Sequence, residues 1–325
     1  MTLLILAGSL AVITLGAEAL VRGASMLALR RGVSPLFVGL TIVGFGTSTP
    51  ELGASLAASL RGASDVAVGN VVGSNVFNIA VILGLTALIR PVRVRLRAVR
   101  RDLLVAIAAA AVPWSSLLAG NTINRGIGGL LLVGLVIYVA TAYRSAQRAP
   151  FEEKKLAEEE VRSTLVAPSA RQRLAGLGWN VLLVLGGLGL LVVGSRAFVD
   201  AAIILARSVG MSDLVIGLTI VAAGTSLPEL VTSLVAARRR NPDIALGNVI
   251  GSNIFNCFGI LGTCAIVRPQ SVGVEVLVRD TPVMLVATLA LIPIMRSGGT
   301  ISRREGGLLL VGYGVYLGAL LKGVG

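Results

Sequence analysis

The chain has 325 residues, 55% of them hydrophobic and only 14% charged, which is too apolar for an ordinary soluble domain. Uncharged runs of roughly 18 residues or more recur along it, so the sequence describes a polytopic membrane protein. The formal net charge of +13 does not indicate nucleic acid: aromatics make up only 4% and no aromatic-interleaved basic surface is present.

Ten spans can be drawn, at about 3–29, 35–60, 66–89, 102–119, 126–143, 176–206, 213–237, 243–267, 281–296 and 306–321. Residues 2–15 have the look of a signal h-region, but the apolar stretch runs on past them, and the expectation is a retained helix. Between the fifth and sixth spans lies a charged segment containing EEKKLAEEE followed by Ser, Pro and Arg, which reads as a solvated connection. It divides the chain into 1–144, a linker at 145–175, and 176–325, with five spans in each half. Cys257 and Cys264 fall within one apolar segment and are expected to be buried thiols, not a disulfide or metal pair. Histidine is absent, which removes a common soft-metal ligand and proton shuttle.

Basic residues set the orientation. Loops after odd-numbered spans carry Arg30 and Arg31, six Arg between 90 and 101, seven bases between 144 and 175, Arg238 to Arg240, and Arg296, Arg303 and Arg304. Loops after even-numbered spans and the C-terminus carry only Arg61, Arg125, Arg207, Arg268, Arg279 and Lys322. The positive-inside rule then puts the linker in the cytoplasm and both termini outside an inner (plasma) membrane. An odd number of spans per half makes the second half cross with the opposite polarity. The expected fold is therefore an all-α membrane protein of two inverted five-helix repeats.

One stretch occurs in both halves. GTSTPEL at 46–52 and GNVVGSNVFN at 69–78 return as GTSLPEL at 224–230 and GNVIGSNIFN at 247–256. Acids inside a membrane are costly, so Glu51 and Glu229 at matching places in two repeats form a functional-site hypothesis. Pro50 and Pro228 each withdraw an amide from the helix, so the second and seventh spans should be broken there and expose carbonyls. Thr47, Ser48, Glu51 and Ser55 recur at helical spacing, as do Thr225, Ser226, Glu229 and Ser233, giving each span a polar face. In the third and eighth spans Asn70, Ser74 and Asn78, and Asn248, Ser252 and Asn256, are four apart and make an oxygen-bearing stripe. Carboxylates, amides, hydroxyls and freed carbonyls are the ligand types of hard cations such as Ca²⁺. Each string has a plain packing reading as well: GNVVGSN is a small-xxx-small motif. It is the conjunction with an acid, twice, that favours ion transport. Glu18 with Arg22, and Arg196 with Asp200, are four apart and expected to pair within their helices. Asp65 and Asp243 are expected at the N-termini of the third and eighth spans.

At these motifs the sequence resembles the calcium/cation antiporter family, the group of the Na⁺/Ca²⁺ exchangers, in a prokaryotic-type form. The resemblance covers essentially the whole chain, including the ten-span plan with a cytoplasmic linker. It implies that Glu51 and Glu229 coordinate Ca²⁺ centrally. It implies that Thr47, Ser48, Ser74, Asn78, Thr225, Ser226, Ser252 and Asn256 line the Ca²⁺ and Na⁺ subsites, with carbonyls of Gly44 and Ala222 at outer Na⁺ sites. Alternating access would come from the first and sixth helices sliding across the other eight. The chain departs from well-studied Na⁺/Ca²⁺ members at Asn256, where they have Asp. The central site would then hold two carboxylates, whose charge balances one Ca²⁺ or two Na⁺ or H⁺ and gives less support to three bound Na⁺.

The expected function is a secondary antiporter exchanging Ca²⁺ for Na⁺, or alternatively for H⁺. The functional unit is expected to be a monomer in membrane lipid, with no cofactor and no enzyme chemistry, since neither a phosphate loop nor a nucleophile with a base is present. Two rivals are a Na⁺-coupled transporter of an organic anion and a cation channel. No Lys or Arg lies within the motif spans for the former, and one chain already supplies both halves of a site, unlike a channel ring.

Overall fold

The computed structural model describes residues 1–148, 176–208 and 222–322. Nearly all of the expected linker at 145–175, and the start of the expected seventh span at 213, lie outside the described residues. The architecture is helical: α1 (Thr2–Arg31), α2 (Pro35–Thr47), α3 (Thr49–Leu60), α4 (Ser64–Ile89), α5 (Leu96–Ala119), α6 (Arg125–Arg148), α7 (Leu177–Ser208), α8 (Ala222–Thr225), α9 (Leu227–Arg238), α10 (Pro242–Val267), α11 (Val276–Arg296) and α12 (Arg303–Lys322). Among the described residues seven helices are long and apolar enough to cross a membrane: α1, α4, α5, α6, α7, α10 and α11. Their burial separates two roles. The most apolar stretch of α4 is 67% buried and that of α10 78%, against 33% for α1 and 28% for α7. The two helices carrying the asparagine stripes are thus enclosed by protein, while the long first and sixth apolar segments present Leu3, Leu4, Leu15, Leu185 and Val193 outward.

The chain divides into two compact units, each drawing on both sequence halves: Met1–Pro50 with Tyr143–Asn248, and Glu51–Ala142 with Val249–Gly325. In the first unit α1 and α7 pack closely and antiparallel. Gly16 faces Gly187 while Gly23 faces Asn180, so one helix rises in number as the other falls. Ile13, Ala17, Leu20, Val184 and Leu191 fill the seam. Only a residue without a Cβ fits at the crossing, because a Cβ on Gly187 would lie 2.7 Å from the Gly16 carbonyl oxygen and the Leu20 nitrogen. These are backbone atoms that cannot swing aside. Gly187→Ala is therefore expected to force the helices apart and destabilise the protein by about 1–3 kcal/mol. Thermal unfolding followed by tryptophan fluorescence reads this as a lowered Tm. Gly186→Ala on the same helix, with no heavy atom within 4 Å of its Cβ, should leave Tm unchanged.

In the second unit the contacts come in pairs related by a shift of 178 residues, the separation of Asn75 and Asn253. Strand β1 (Val92–Arg93) pairs antiparallel with β4 (Thr300–Ile301), and β2 (Thr122–Ile123) with β3 (Gln270–Ser271). Applied to Val92↔Ile301, the shift gives Gln270↔Ile123, which is also observed. Tyr138 donates to Asp102 at 3.1 Å, and Tyr316 to Asp280 at 3.1 Å. These pairs tie α5 to α6 and α11 to α12, so buried acids that the motifs do not contain have a structural partner. Val68, Val71, Val72, Cys257, Ile260, Leu261 and Cys264 form part of this unit's core, with both cysteines free and buried as expected.

The expected breaks are present, with their position refined, and one other expectation needs correction. The breaks fall at Ser48 (φ −80°, ψ 10°) and Ser226 (φ −89°, ψ 9°), two residues before the prolines. Pro50 and Pro228 then sit in the first turn of α3 and α9, where the missing N–H leaves no helical bond unmade. Among the described residues the Glu18–Arg22 and Arg196–Asp200 ion pairs are not formed. Glu18 instead reaches Arg239 beyond the end of α9 at 3.0 Å, a contact between elements that sequence spacing cannot reveal.

Candidate cation site

The site residues fall into a cluster in each unit, and each rests on helix breaks. In the first unit, α2 ends at Thr47 after a wide π-helical turn over Gly39–Val43. The Thr47 hydroxyl lies 3.0 Å from the Val43 carbonyl, 3.2 Å from that of Gly44 and 3.0 Å from Asn248 Oδ1. The Gly44 carbonyl also accepts from the Ser48 N–H at 3.2 Å. Ser48, at the break, donates from Oγ to Glu229 Oε1 at 2.8 Å. Asn248 Nδ2 donates to the Glu229 carbonyl at 3.1 Å and to Ser233 Oγ at 2.9 Å. Glu229 is 1% exposed and stands in the first turn of α9, where the helix dipole favours a carboxylate. One of its oxygens is held by Ser48; the other, Oε2, is buried with no hydrogen-bond donor among the described residues. Ser226 is fully buried at the second break, Thr225 is half-buried, and Ala222 opens α8.

In the second unit Glu51 occupies the first turn of α3 and is 1% exposed. Asn70 Nδ2 donates to its carbonyl at 3.4 Å and to Ser55 Oγ at 2.9 Å, repeating what Asn248 does for Glu229 and Ser233. Asn70 and Asn248 thus brace the glutamate-bearing helices through Nδ2, while Asn248 Oδ1 meets the Thr47 hydroxyl. Ser74 and Asn78 on α4, and Ser252 and Asn256 on α10, are buried. Both helices widen into a π-helical turn at the asparagine, over Asn78–Leu83 and Phe255–Ile260, a departure that often marks functional positions.

Two residues that the motif reading did not single out organise this cluster. Asn75 and Asn253 each donate from Nδ2 to the other's backbone carbonyl at 3.2 Å. Their Oδ1 atoms accept from Asn256 and Asn78, both at 2.9 Å. The Oδ1 atoms of Asn78 and Asn256 are left buried without a donor among the described residues. The sequence held a signal for this pair, since Asn75 and Asn253 close the GSN string in both copies.

A buried oxygen that accepts nothing from the protein is expensive. Glu229 Oε2 in the first unit, and Asn78 Oδ1 and Asn256 Oδ1 in the second, are such atoms, and each has the chemistry of a hard-cation ligand. Against known families, residues 1–144 and 179–322 match the sodium/calcium exchanger protein family. The chain belongs to that family. Among relatives, the putative antiporter CaxA of Alkalimonas amylolytica is 38% identical over 315 residues, covering 96% of each chain. The sodium/calcium exchanger MaX1 of Methanosarcina acetivorans is 35% identical over 340 residues, covering 97% of each. Among solved structures, the sodium-calcium exchanger NCX_Mj soaked with zero Na⁺ and Ca²⁺ superposes with a TM-score of 0.81 at 28% identity, covering 98% of each chain. This exchanger-family chain is a multi-pass membrane protein whose named relatives are transporters, not enzymes.

Proposed function

We propose that the protein is a secondary antiporter exchanging Ca²⁺ for Na⁺ by alternating access. Glu51 and Glu229 are its charged ligands, and Thr47, Ser48, Ser74, Asn78, Thr225, Ser226, Ser252 and Asn256 line the ion path with carbonyls of Gly44 and Ala222. The observation that carries this reading is the set of buried oxygens with no donor, at Glu229, Asn78 and Asn256. Unpaired oxygens on matched asparagines and on a motif glutamate are groups that a passing cation would satisfy in turn. Fully oxygen-based chemistry suits Ca²⁺, which takes about 6–8 oxygens at roughly 2.3–2.6 Å, and Na⁺. The ten-span plan in two inverted repeats is supported by the antiparallel α1 and α7 and by the contacts that recur 178 residues apart. Basic loops then place both termini outside and the linker in the cytoplasm.

Exchange against H⁺ is the second reading. The amide at Asn256 leaves it open, because two carboxylates match one Ca²⁺ with two single positive charges that two H⁺ supply as well as two Na⁺. The test is ⁴⁵Ca²⁺ uptake into proteoliposomes under an outward Na⁺ gradient in one set and an outward H⁺ gradient in another. Uptake driven by Na⁺ alone is the expected result. Uptake driven only by H⁺ keeps the site and changes the partner ion. Equal, gradient-independent counts in both sets would sink calcium antiport and leave the organic-anion transporter as the better reading.

A further inference from the structure

We infer that Asn75 and Asn253 are positioning residues that fix which end of the Asn78 and Asn256 side chains meets the transported cation. The inference rests on the reading of Asn78 and Asn256 as cation ligands.

A carboxamide has an acceptor end and a donor end of nearly equal shape, and only its hydrogen-bond partners decide which faces where. Here the decision begins at two groups that leave no choice. The backbone carbonyls of Asn253 and Asn75 can only accept. Each takes a hydrogen bond at 3.2 Å from the other residue's side chain, so the Nδ2 ends of Asn75 and Asn253 must point at them. Asn75 Nδ2 also lies 2.9 Å from Cys257 Sγ, which agrees with that assignment. Their Oδ1 ends are then turned toward Asn256 and Asn78, and these must answer with Nδ2, at 2.9 Å in both cases. The last step leaves the Oδ1 atoms of Asn78 and Asn256 facing away, buried and without a donor. Four side chains are thus set in sequence from two backbone carbonyls, and the outcome is two bare oxygens. With either amide reversed, an NH₂ group would meet the cation and repel it.

The same chain of bonds gives Asn256 a reason to be an amide. A carboxylate there would set an acceptor against Asn75 Oδ1, and the Asn75 side chain could turn to meet it only by giving up its bond to the Asn253 carbonyl. The position is matched to its neighbour as well as to its ion.

The experiment measures initial ⁴⁵Ca²⁺ uptake against Ca²⁺ concentration in proteoliposomes of the full chain, with Glu229→Gln as the blank. Asn75→Leu keeps the volume and removes the acceptor that holds Asn256. It is expected to raise KM for Ca²⁺ about tenfold to a hundredfold, the worth of one hydrogen-bond-like contact to a charged group. In an Asn256→Ala background the same substitution should add no further rise in KM, because the amide it orients is gone. Asn253→Leu, which removes the acceptor that holds Asn78, tests the idea even where the Asn75 variant fails to fold, with KM expected to rise by a similar factor. An unchanged KM in a folded Asn75→Leu protein would overturn the inference. So would an equal rise in the Asn256→Ala background, or an unchanged KM in a folded Asn253→Leu protein. Wild-type uptake no greater than the blank would instead overturn the antiporter reading itself, which keeps the two failures distinct.

Discussion

Glu229→Gln is expected to lower Ca²⁺ transport by a factor of 100 or more while leaving the protein folded. The substitution is close to isosteric, and the amide oxygen can still accept from Ser48 at the position of Oε1, 2.8 Å from its hydroxyl. What changes is the other end. Oε2 has no donor among the described residues, and in the glutamine variant an NH₂ stands in its place, aimed at an incoming cation. At an effective dielectric of about 20, one carboxylate at about 2.4 Å from a divalent ion contributes roughly 14 kcal/mol of gross attraction. Dehydrating both groups consumes most of this, and a net loss of about 3 kcal/mol already lowers affinity a hundredfold. Glu51→Gln should be equally damaging, since Glu51 shares the burial, the first-turn placement and the asparagine brace. Circular dichroism and size-exclusion profiles matching wild type, beside ⁴⁵Ca²⁺ uptake at background, are the outcome sought. Wild-type uptake in either variant would remove that glutamate from the site.

The elements that were legible in the sequence are those governed by local chemistry. Apolar runs located several helices closely, the expected first span at about 3–29 being Thr2–Arg31 and the eighth at about 243–267 being Pro242–Val267, whereas the fourth and ninth begin earlier than expected, at Leu96 and Val276, where charged residues interrupt the apolar run. Asp65 and Asp243 lie in first turns as the dipole argument requires. The doubled motif located both glutamates. Partnerships between elements were not legible. Spacing alone put Asn70 and Asn248 in the oxygen stripe, whereas the fold turns their amides to the helices of Glu51 and Glu229. Spacing also paired Glu18 with Arg22, whereas the helix crossing offers it Arg239. Asn75 was passed over because it is one residue off the four-residue stripe. On a helix that rotation of about 100° turns it from its own helix face toward Asn253. The π-helical turns at Asn78 and Phe255 were not legible, since nothing in NIAVIL or FNCFGI tells a π-helical turn from an α-helical one.

Transport is expected to be electroneutral, and this prediction separates two-cation from three-cation exchange more sharply than any binding measurement. Charge balance is the reason. On the proposed reading Glu51 and Glu229 supply the negative charge that meets the transported ions, and Asn256 adds none, being an amide whose Nδ2 is committed to Asn75. Two carboxylates neutralise one Ca²⁺ in one half of the cycle and two Na⁺ or two H⁺ in the other. A third monovalent ion would enter a buried site with no charge to meet it, at a desolvation cost the neutral amide does not offset. Moving one net charge per cycle through 100 mV is worth about 2.3 kcal/mol, or about a fiftyfold change in the Ca²⁺ gradient that transport can sustain. Moving none is worth nothing. Proteoliposomes clamped with valinomycin at 0 and −100 mV under the same Na⁺ gradient should therefore reach Ca²⁺ gradients within about twofold of each other. A shift near fiftyfold would mean that a third positive charge crosses with each Ca²⁺, and that a group other than Glu51 and Glu229 carries its counter-charge. The identity of the coupling ion does not enter this result: two Na⁺ and two H⁺ are alike in charge, so the voltage measurement fixes the stoichiometry whichever gradient drives uptake.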